Sequence, residues 1–137
     1  AGPTVDMQYC NLMSLVKGSR TDAGEEARHL ELGRQFLRAD ESVQTVKVPA
    51  KTLSRVLDEH GITRVDLLSL DVEGYEPEVL AGLDLARHRP AHLLVEVRDR
   101  AAIEKLLAPW YRPVAVLTQN PDYQDVLYGL AGAGSAR

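Results

Sequence analysis

A short apolar run that ends in a group of carboxylates constrains the fold of this chain more than any other feature. Residues 65–70 are mostly apolar, and three carboxylates follow within six positions, Asp71, Glu73 and Glu76. The run is too short and too rich in leucine for an amphipathic surface helix, so it predicts a strand that is buried on both faces, as in a parallel sheet. Pro77 suits the first turn of a helix after this strand. The pattern therefore favours an α/β fold.

The acidic residues after this strand are candidates for a functional site. In open parallel sheets, ligands bind in the crevice beyond the carboxyl ends of the strands, and Asp71 lies where the predicted strand ends. Capping of the next helix by Asp71 and Glu76 explains the same pattern, because negative charge stabilises a helix N-terminus. Between the carboxylates, Gly74 is expected to allow a tight turn or a positive φ.

The three close carboxylates also need partners, because like charges at this spacing repel one another unless a cation or hydrogen-bond donors lie beside them. A divalent cation could fill that role, but no group of residues has clear metal-ligand spacing, so the sequence predicts no metal site. Structural roles are predicted for the histidines, which do not pair with one another or with Cys10 in a metal-ligand pattern. They are His29, His60, His88 and His92.

Signals for helices and strands alternate along the chain, which predicts an α/β protein whose last two strands form an antiparallel hairpin. Asp22, Thr52 and Asp99 are predicted helix caps, and Gly61 suits the position just past a helix end. The predicted strands are residues 12–16, 43–48, 65–70, 93–97, 113–117 and 125–130. The predicted helices are residues 23–38, a helix between Thr52 and Gly61, residues 77–81, and a helix between Asp99 and Pro109.

One segment carries a family resemblance: residues 68–76, LSLDVEGYE, resemble the signature of FkbM-type methyltransferases. That signature is a hydrophobic pair followed by Asp-Val-Glu-Gly, any residue and Glu. Residues 48–54 are similar to the family's lead into a Thr-Leu helix start, and residues 79–82 and 93–97 continue the likeness downstream. The resemblance is good over residues 46–97, looser to residue 130 and weak before residue 43. Ser69 stands where the family usually has lysine, so no role of that lysine transfers to this chain.

The resemblance implies an S-adenosylmethionine-dependent methyltransferase that methylates a hydroxyl of a sugar or natural product, with a small-molecule acceptor as its partner. It places Asp71 near the methyl donor and acceptor, where a carboxylate acts as a general base or orients the acceptor hydroxyl. For Glu96, an ion pair with Arg98 or Arg100 is the alternative to a site role. The residues that the resemblance places in the vicinity of substrate or cofactor are Glu73, Gly74, Tyr75, Glu76 and Glu96.

The main cofactor-binding loop of such enzymes has no counterpart in the sequence. They bind S-adenosylmethionine largely through a glycine-rich turn after the first strand, whereas the only clustered glycines here are Gly129, Gly132 and Gly134. The chain also begins with Ala1 and not with Met. The resemblance therefore implies the C-terminal half of a Rossmann-like methyltransferase sheet, with two parallel strands and helices followed by an antiparallel strand pair. The alternative is a non-catalytic α/β binding or assembly domain derived from that scaffold.

The sequence predicts three regions along the chain. They are an N-terminal segment with a surface helix (residues 1–45), the C-terminal part of a methyltransferase-like α/β domain (46–130) and a flexible tail (131–137). In the resembled fold, residues 65–70 lie in the middle of the sheet, beside the first strand of the cofactor-binding half. Without that strand, their edge is expected to pair with a second copy or with a chain carrying the missing half. The alternative is that residues 12–16 fold back and cover this edge.

Charge and composition disfavour several classes of partner. The net charge is −4 and there is no basic run, which disfavours binding to nucleic acid or to an anionic membrane surface. No stretch approaches the about 20 apolar residues of a membrane span. Cys10 is the only cysteine, so an internal disulfide is impossible and a reducing compartment such as the cytoplasm is expected.

Overall fold

The computed structural model describes residues 2–20 and 22–132. The chain folds into two compact units, of which the first comprises Ala1–Lys51 and Val72–Tyr75 and the second Thr52–Asp71 and Glu76–Arg137. The predicted region boundaries at residues 45 and 130 come from the sequence and stay predictions. The predicted tail lies outside the described residues from residue 133 onward.

The first unit contains a three-stranded antiparallel sheet of β1 (Thr4–Tyr9), β2 (Leu15–Val16) and β3 (Gln44–Pro49), with β1 in the middle. In this sheet Met7 lies opposite Val16 on one side and opposite Val46 on the other. The strand β3 confirms the strand predicted at residues 43–48, shifted by one residue. No strand is predicted where β1 lies, and the strand predicted at residues 12–16 is shorter because Asn11–Met13 form a 3-10 helix.

The charged helix of the first unit is α1 (Ala23–Gly33), and the Asp22 side chain accepts a hydrogen bond from the Glu25 amide at 2.8 Å, which confirms the predicted cap. The helix ends at Gly33 and not at residue 38, because a 3-10 helix follows. A Cβ at Gly33 would lie 2.6 Å from the Sγ atom of Cys10, so glycine is what allows this close packing. None of the described helices is long and apolar enough to cross a membrane.

The second unit contains a four-stranded mixed sheet of β4 (Leu67–Leu70), β5 (His92–Val97), β6 (Tyr111–Gln119) and β7 (Gln124–Leu130). Its strand order is β4-β5-β7-β6. The first pair is parallel, and β7 runs antiparallel to both of its neighbours. The predicted α/β class and the predicted hairpin of the last two strands are confirmed, although both hairpin strands are longer than predicted.

The second unit also contains α2 (Leu53–Glu59), which precedes β4, α3 (Glu76–Ala81), which lies between β4 and β5, and α4 (Arg100–Leu107), which lies between β5 and β6. The Thr52 hydroxyl accepts from the Arg55 amide, and the Asp99 carboxylate accepts from the Ala102 amide, so both predicted caps are confirmed. Gly61, just past the end of α2, has the left-handed φ of +62° that favours glycine at this position.

The prediction that residues 65–70 form a strand buried on both faces is wrong. Leu67 is 55% exposed and Ser69 is exposed, whereas Leu70 is buried. The reason lies in the sheet order, since among the described residues β4 pairs with β5 alone and forms an edge of the sheet. Within this sheet, the fully buried side chains lie instead on β5 and β7, which have a strand on either side: Leu93, Val95, Val126 and Tyr128.

Candidate functional site

The carboxyl ends of β4 and β5 bring two of the predicted site residues together in the second unit. These strands are parallel, and their register places Leu70 opposite Val95. The next residues, Asp71 and Glu96, therefore lie side by side near the carboxyl ends of the two strands. A carboxylate oxygen of Asp71 lies within 4.8 Å of one of Glu96. The two carboxylates are therefore close to each other. Their chemical roles, and the expectation that no metal is bound, stay predictions.

Glu96 has a cationic partner of its own. The Arg98 guanidinium donates a hydrogen bond to the Glu96 carboxylate at 2.8 Å, and the Glu96 side chain is only 11% exposed. The predicted ion pair with Arg98 is thus confirmed, whereas Arg100 pairs elsewhere. The positive charge of Arg98 offsets the repulsion between the two carboxylates at this edge. Asp71 is exposed, so it is the carboxylate of the pair that a small molecule can reach most directly.

The Val72–Tyr75 turn belongs to the first unit and contains two residues with a left-handed backbone. Gly74 has a φ of +100°, which confirms the predicted positive φ. Glu73 has a φ of +57°, which is uncommon for a residue with a side chain. A Cβ at Gly74 would lie 3.0 Å from the Ser19 carbonyl oxygen, so glycine suits both the conformation and the close contact.

Side chains from the start of the chain surround Glu73. The Arg20 guanidinium donates to the Glu73 carboxylate at 2.7 Å, and the Nε2 atom of His29 lies 3.8 Å from the same oxygen. Arg20 also lies 2.7 Å from the Nδ1 atom of His29. The Ser19 hydroxyl donates to the Glu73 carbonyl oxygen at 3.3 Å. Glu73 therefore has the cationic partner that its charge requires, and that partner lies far away in the sequence.

Comparison with known proteins places the chain in a family. The model of the methyltransferase FkbM domain matches residues 6–128. The chain belongs to the FkbM methyltransferase family. No curated protein and no solved structure matches it. The family is one of S-adenosylmethionine-dependent methyltransferases. The matched region begins well before residue 43, where the resemblance in the sequence is weak, and it includes Arg20 and His29.

The sequence of this FkbM chain gives no signal for Arg20 and His29. Arg20 and Glu73 are 53 positions apart, and no periodic pattern links residues at that separation. His29 is predicted to be a structural residue on a charged helix, but that prediction does not include its burial (9% exposed) or its contact with Arg20. A buried arginine cannot be read from composition, because its burial follows from the packing of the first unit.

The other two residues of the FkbM signature, Tyr75 and Glu76, differ in their surroundings. Tyr75 is half-buried, and its amide donates to the Val72 carbonyl oxygen at 3.3 Å. Glu76 begins α3 and is only 2% exposed. Its position in the first turn agrees with the alternative in which it complements the helix dipole. The placement of both residues in the vicinity of substrate or cofactor stays a prediction.

A second polar cluster of this FkbM chain lies in the second unit and has the residue types of a hydrolytic triad. His88 joins Ser54 and Asp58, with distances of 3.0 Å from Nδ1 to the hydroxyl and 3.2 Å from Nε2 to the carboxylate. The Ser54 hydroxyl is buried and accepts a hydrogen bond from the Asp84 amide at 2.7 Å. A nucleophile needs an accessible oxygen, so this geometry favours a structural link between α2 and the segment that contains His88.

Proposed function

We propose that this FkbM chain takes part in S-adenosylmethionine-dependent methyl transfer to a hydroxyl of a small acceptor, such as a sugar or natural product. The observation that carries the proposal is the family match, which includes the Asp-Val-Glu-Gly motif at residues 71–74. The exposed position of Asp71 beside Glu96 supports it, because an accessible carboxylate can bind a hydroxyl group.

The sheet of the second unit supports a Rossmann-like origin. A parallel strand pair, β4 and β5, is followed by an antiparallel hairpin in the order β4-β5-β7-β6. The family resemblance implies this arrangement for the C-terminal half of a methyltransferase sheet. We therefore propose that the second unit corresponds to that half. Ligands of such sheets bind beyond the carboxyl ends of the parallel strands. Asp71 directly follows β4, and Glu96 is the penultimate residue of β5.

Asp71 is the proposed general base. The cofactor supplies a methyl group that is already activated on a sulfonium sulfur, so the protein has to position the reactants and accept one proton. The Asp71 carboxylate can accept a hydrogen bond from the acceptor hydroxyl and take its proton as the oxygen is methylated. Glu96, held by Arg98, offers a second acceptor that suits the ammonium or ribose hydroxyl groups of the cofactor. The other proposed residues near the ligands are Glu73, Gly74, Tyr75 and Glu76.

Calorimetric titration of the purified chain with S-adenosylmethionine tests the proposal. Saturable binding that methionine and adenosine alone do not reproduce is the expected result, because the site should recognise the joined cofactor. The absence of binding at millimolar cofactor would contradict the proposal for this chain. An Asp66→Asn variant is the control and should bind the cofactor as the wild-type chain does. Asp66 is exposed and precedes β4, so it lies at the opposite end of that strand from Asp71.

A non-catalytic binding or assembly domain is the second candidate function. The observation that favours it is the sequence itself, in which no Gly-x-Gly-x-x-Gly or related cluster follows a strand. Such a domain would keep the sheet and its hydrogen bonds without cofactor affinity. The same titration separates the two candidates, because only the methyltransferase proposal requires specific binding of the sulfonium cofactor.

A further inference from the structure

The contact between Arg20 and Glu73 differs from the surface ion pairs of this chain in its burial. Their side chains are 7% and 21% exposed, and Arg20 Nη2 lies 2.7 Å from the Glu73 carboxylate. Surface pairs contribute little because water screens both charges, whereas loss of one member of a buried pair leaves the other charge without compensation. A buried arginine that meets a carboxylate can therefore fix the position of the segment that carries the carboxylate.

His29 fixes the orientation of Arg20 from a second side. The Nε2 atom of His29 lies 2.9 Å from the Met13 carbonyl oxygen, which can only accept, so the geometry assigns the ring hydrogen to Nε2. Nδ1 is then an acceptor, and it lies 2.7 Å from Arg20 Nη2. The two hydrogens of this one nitrogen thus have two acceptors, the Glu73 carboxylate and the His29 ring.

The segment that Arg20 meets has a backbone that needs support. Glu73 and Gly74 have φ values of +57° and +100°, and a left-handed conformation is unfavourable for a residue with a side chain. Such conformations persist where surrounding contacts hold them. The contacts here come from consecutive residues, since the Ser19 hydroxyl binds the Glu73 carbonyl oxygen and Arg20 binds its side chain.

We propose that Arg20 is a positioning residue, which holds Glu73 and thereby keeps the Val72–Tyr75 turn in its left-handed conformation. Glu73 then holds the signature motif in place through its salt bridge with Arg20. The importance of the turn for methyl transfer rests on the proposed function, but its dependence on Arg20 does not. Lysine at position 20 would keep the charge, but its side chain is one atom shorter than the path to Nη2, so its ammonium group cannot reach both acceptors without rearrangement.

Hydrogen exchange of the full chain measures this dependence directly. In an Arg20→Met variant, the amides of the Val72–Tyr75 turn should exchange about tenfold faster or more, while those of β5 keep their protection. Arg20→Lys should restore part of that protection. The matched control is Arg34→Met, because Arg34 contacts Glu31 at the same 2.7 Å but with side chains 57% and 74% exposed. Exchange in the turn equal to that of the control would overturn the proposal.

The pair Arg20→Met and Glu73→Gln supplies a second measurement through a double-mutant cycle. If Arg20 acts through Glu73, the double variant should exchange no faster in the turn than the faster single variant. Additive acceleration would contradict the proposal. If Arg20→Met fails to fold, the Arg20→Lys variant is compared with the wild-type chain instead. Faster exchange that is confined to the turn supports the positioning role. Exchange that is faster throughout the chain, or unchanged in the turn, overturns it. Failure of the wild-type chain to bind S-adenosylmethionine would remove the methyltransferase proposal and leave this test intact.

Discussion

Asp71 and Glu96 lie near the carboxyl ends of neighbouring parallel strands, but their surroundings give them different chemical possibilities. Glu96 is mostly buried and held by Arg98, whereas Asp71 is exposed. Because Arg98 already engages an oxygen of Glu96, a ligand hydroxyl can reach the exposed carboxylate of Asp71 more readily. The difference favours Asp71 as the base and Glu96 as a binding group.

Replacing Asp71 by asparagine should lower turnover by about 100-fold or more, because the amide cannot accept the proton of the acceptor hydroxyl. Folding should be nearly unchanged, since the side chain is exposed. The measurement is the rate of methyl transfer, with Asp66→Asn as a control for the loss of one negative charge near β4. Unaltered turnover in Asp71→Asn would restore the helix-cap explanation.

Gly74→Ala should destabilise the chain more than Gly61→Ala. Both glycines have positive φ, but nothing lies within 4 Å of a Cβ at Gly61, whereas one at Gly74 would meet the Ser19 carbonyl oxygen at 3.0 Å. We expect a loss of about 1 kcal/mol at Gly61 from backbone conformation alone, and about 2 kcal/mol or more at Gly74. Urea unfolding of both variants measures the difference. Equal losses of unfolding free energy in the two variants would mean that the Ser19 backbone can move away from the new methyl group without destabilising the chain.

At this scale the sequence predicts residues whose signals are local. The positions of Asp71 and Glu96 near strand ends and the positive φ of Gly74 follow from apolar runs and turn residues, and the structure confirms these local features. The roles of these residues in a site stay predictions. The contacts of Arg20 and His29 are not predicted, because the burial of a polar side chain depends on which distant segment it packs against.

At the scale of elements, one carboxylate ties the loop before β3 to the end of β1. Glu41 accepts hydrogen bonds from the Arg38 amide at 2.8 Å, the Tyr9 hydroxyl at 2.6 Å and the Asn11 amide group at 2.9 Å. These bonds favour the charged form and lower the pKa of Glu41 from 4.5 to about 2. The three donors come from both ends of the connection between the strands, so Glu41 couples their positions.

Glu41→Gln should therefore reduce the free energy of unfolding at neutral pH. A carboxyl group whose pKa is lower in the folded chain stabilises it above the unfolded pKa, and that contribution disappears as pH falls from about 4.5 to about 2. The stability gap between wild type and variant should close over this range. Urea unfolding at several pH values tests this, with Asp40→Asn as the control from the neighbouring exposed residue. A gap that stays constant with pH would contradict the role given to the charge.

The elements that were predicted well have signals within a few residues of their ends. Asp22, Thr52 and Asp99 cap their helices as expected, because a cap is a contact between near neighbours in the chain. The burial of β4 was mispredicted because an apolar run does not say how many strands will flank it. For β1 no strand was predicted, since its pairing with the distant β3 decides its conformation.

At the scale of the whole molecule, the edge of β4 raises the question of assembly. Among the described residues no strand pairs with its outer side, and Leu67 on it is 55% exposed. Residues 12–16 are the expected alternative cover, and the part of them that forms β2 (Leu15–Val16) pairs with β1. An open edge with an exposed leucine favours pairing with another chain.

We predict that the chain is not a free monomer, and that β4 pairs with a second copy or with a chain that supplies a neighbouring strand. Light scattering at micromolar concentration of the isolated chain tests the first case, and Leu67→Lys should shift the assembly toward monomer because charge on an edge opposes pairing. Leu12→Lys is the control, since Leu12 is 76% exposed and lies outside the sheets. A stable wild-type monomer would contradict the prediction. So would an assembly that is disrupted only by Val114→Lys, because Val114 lies on β6, at the other end of the strand order.

The order in which the chain visits its two units limits how the gene could be recombined. The chain enters the second unit at Thr52, returns to the first for Val72–Tyr75 and leaves it again at Glu76. A crossover between two family members at residues 51 and 52 would thus combine Glu73 from one parent with Arg20 from the other. Because Glu73 belongs to the family signature, functional chimeras should require that the parent of the N-terminal segment supplies a partner equivalent to Arg20, a residue outside the signature.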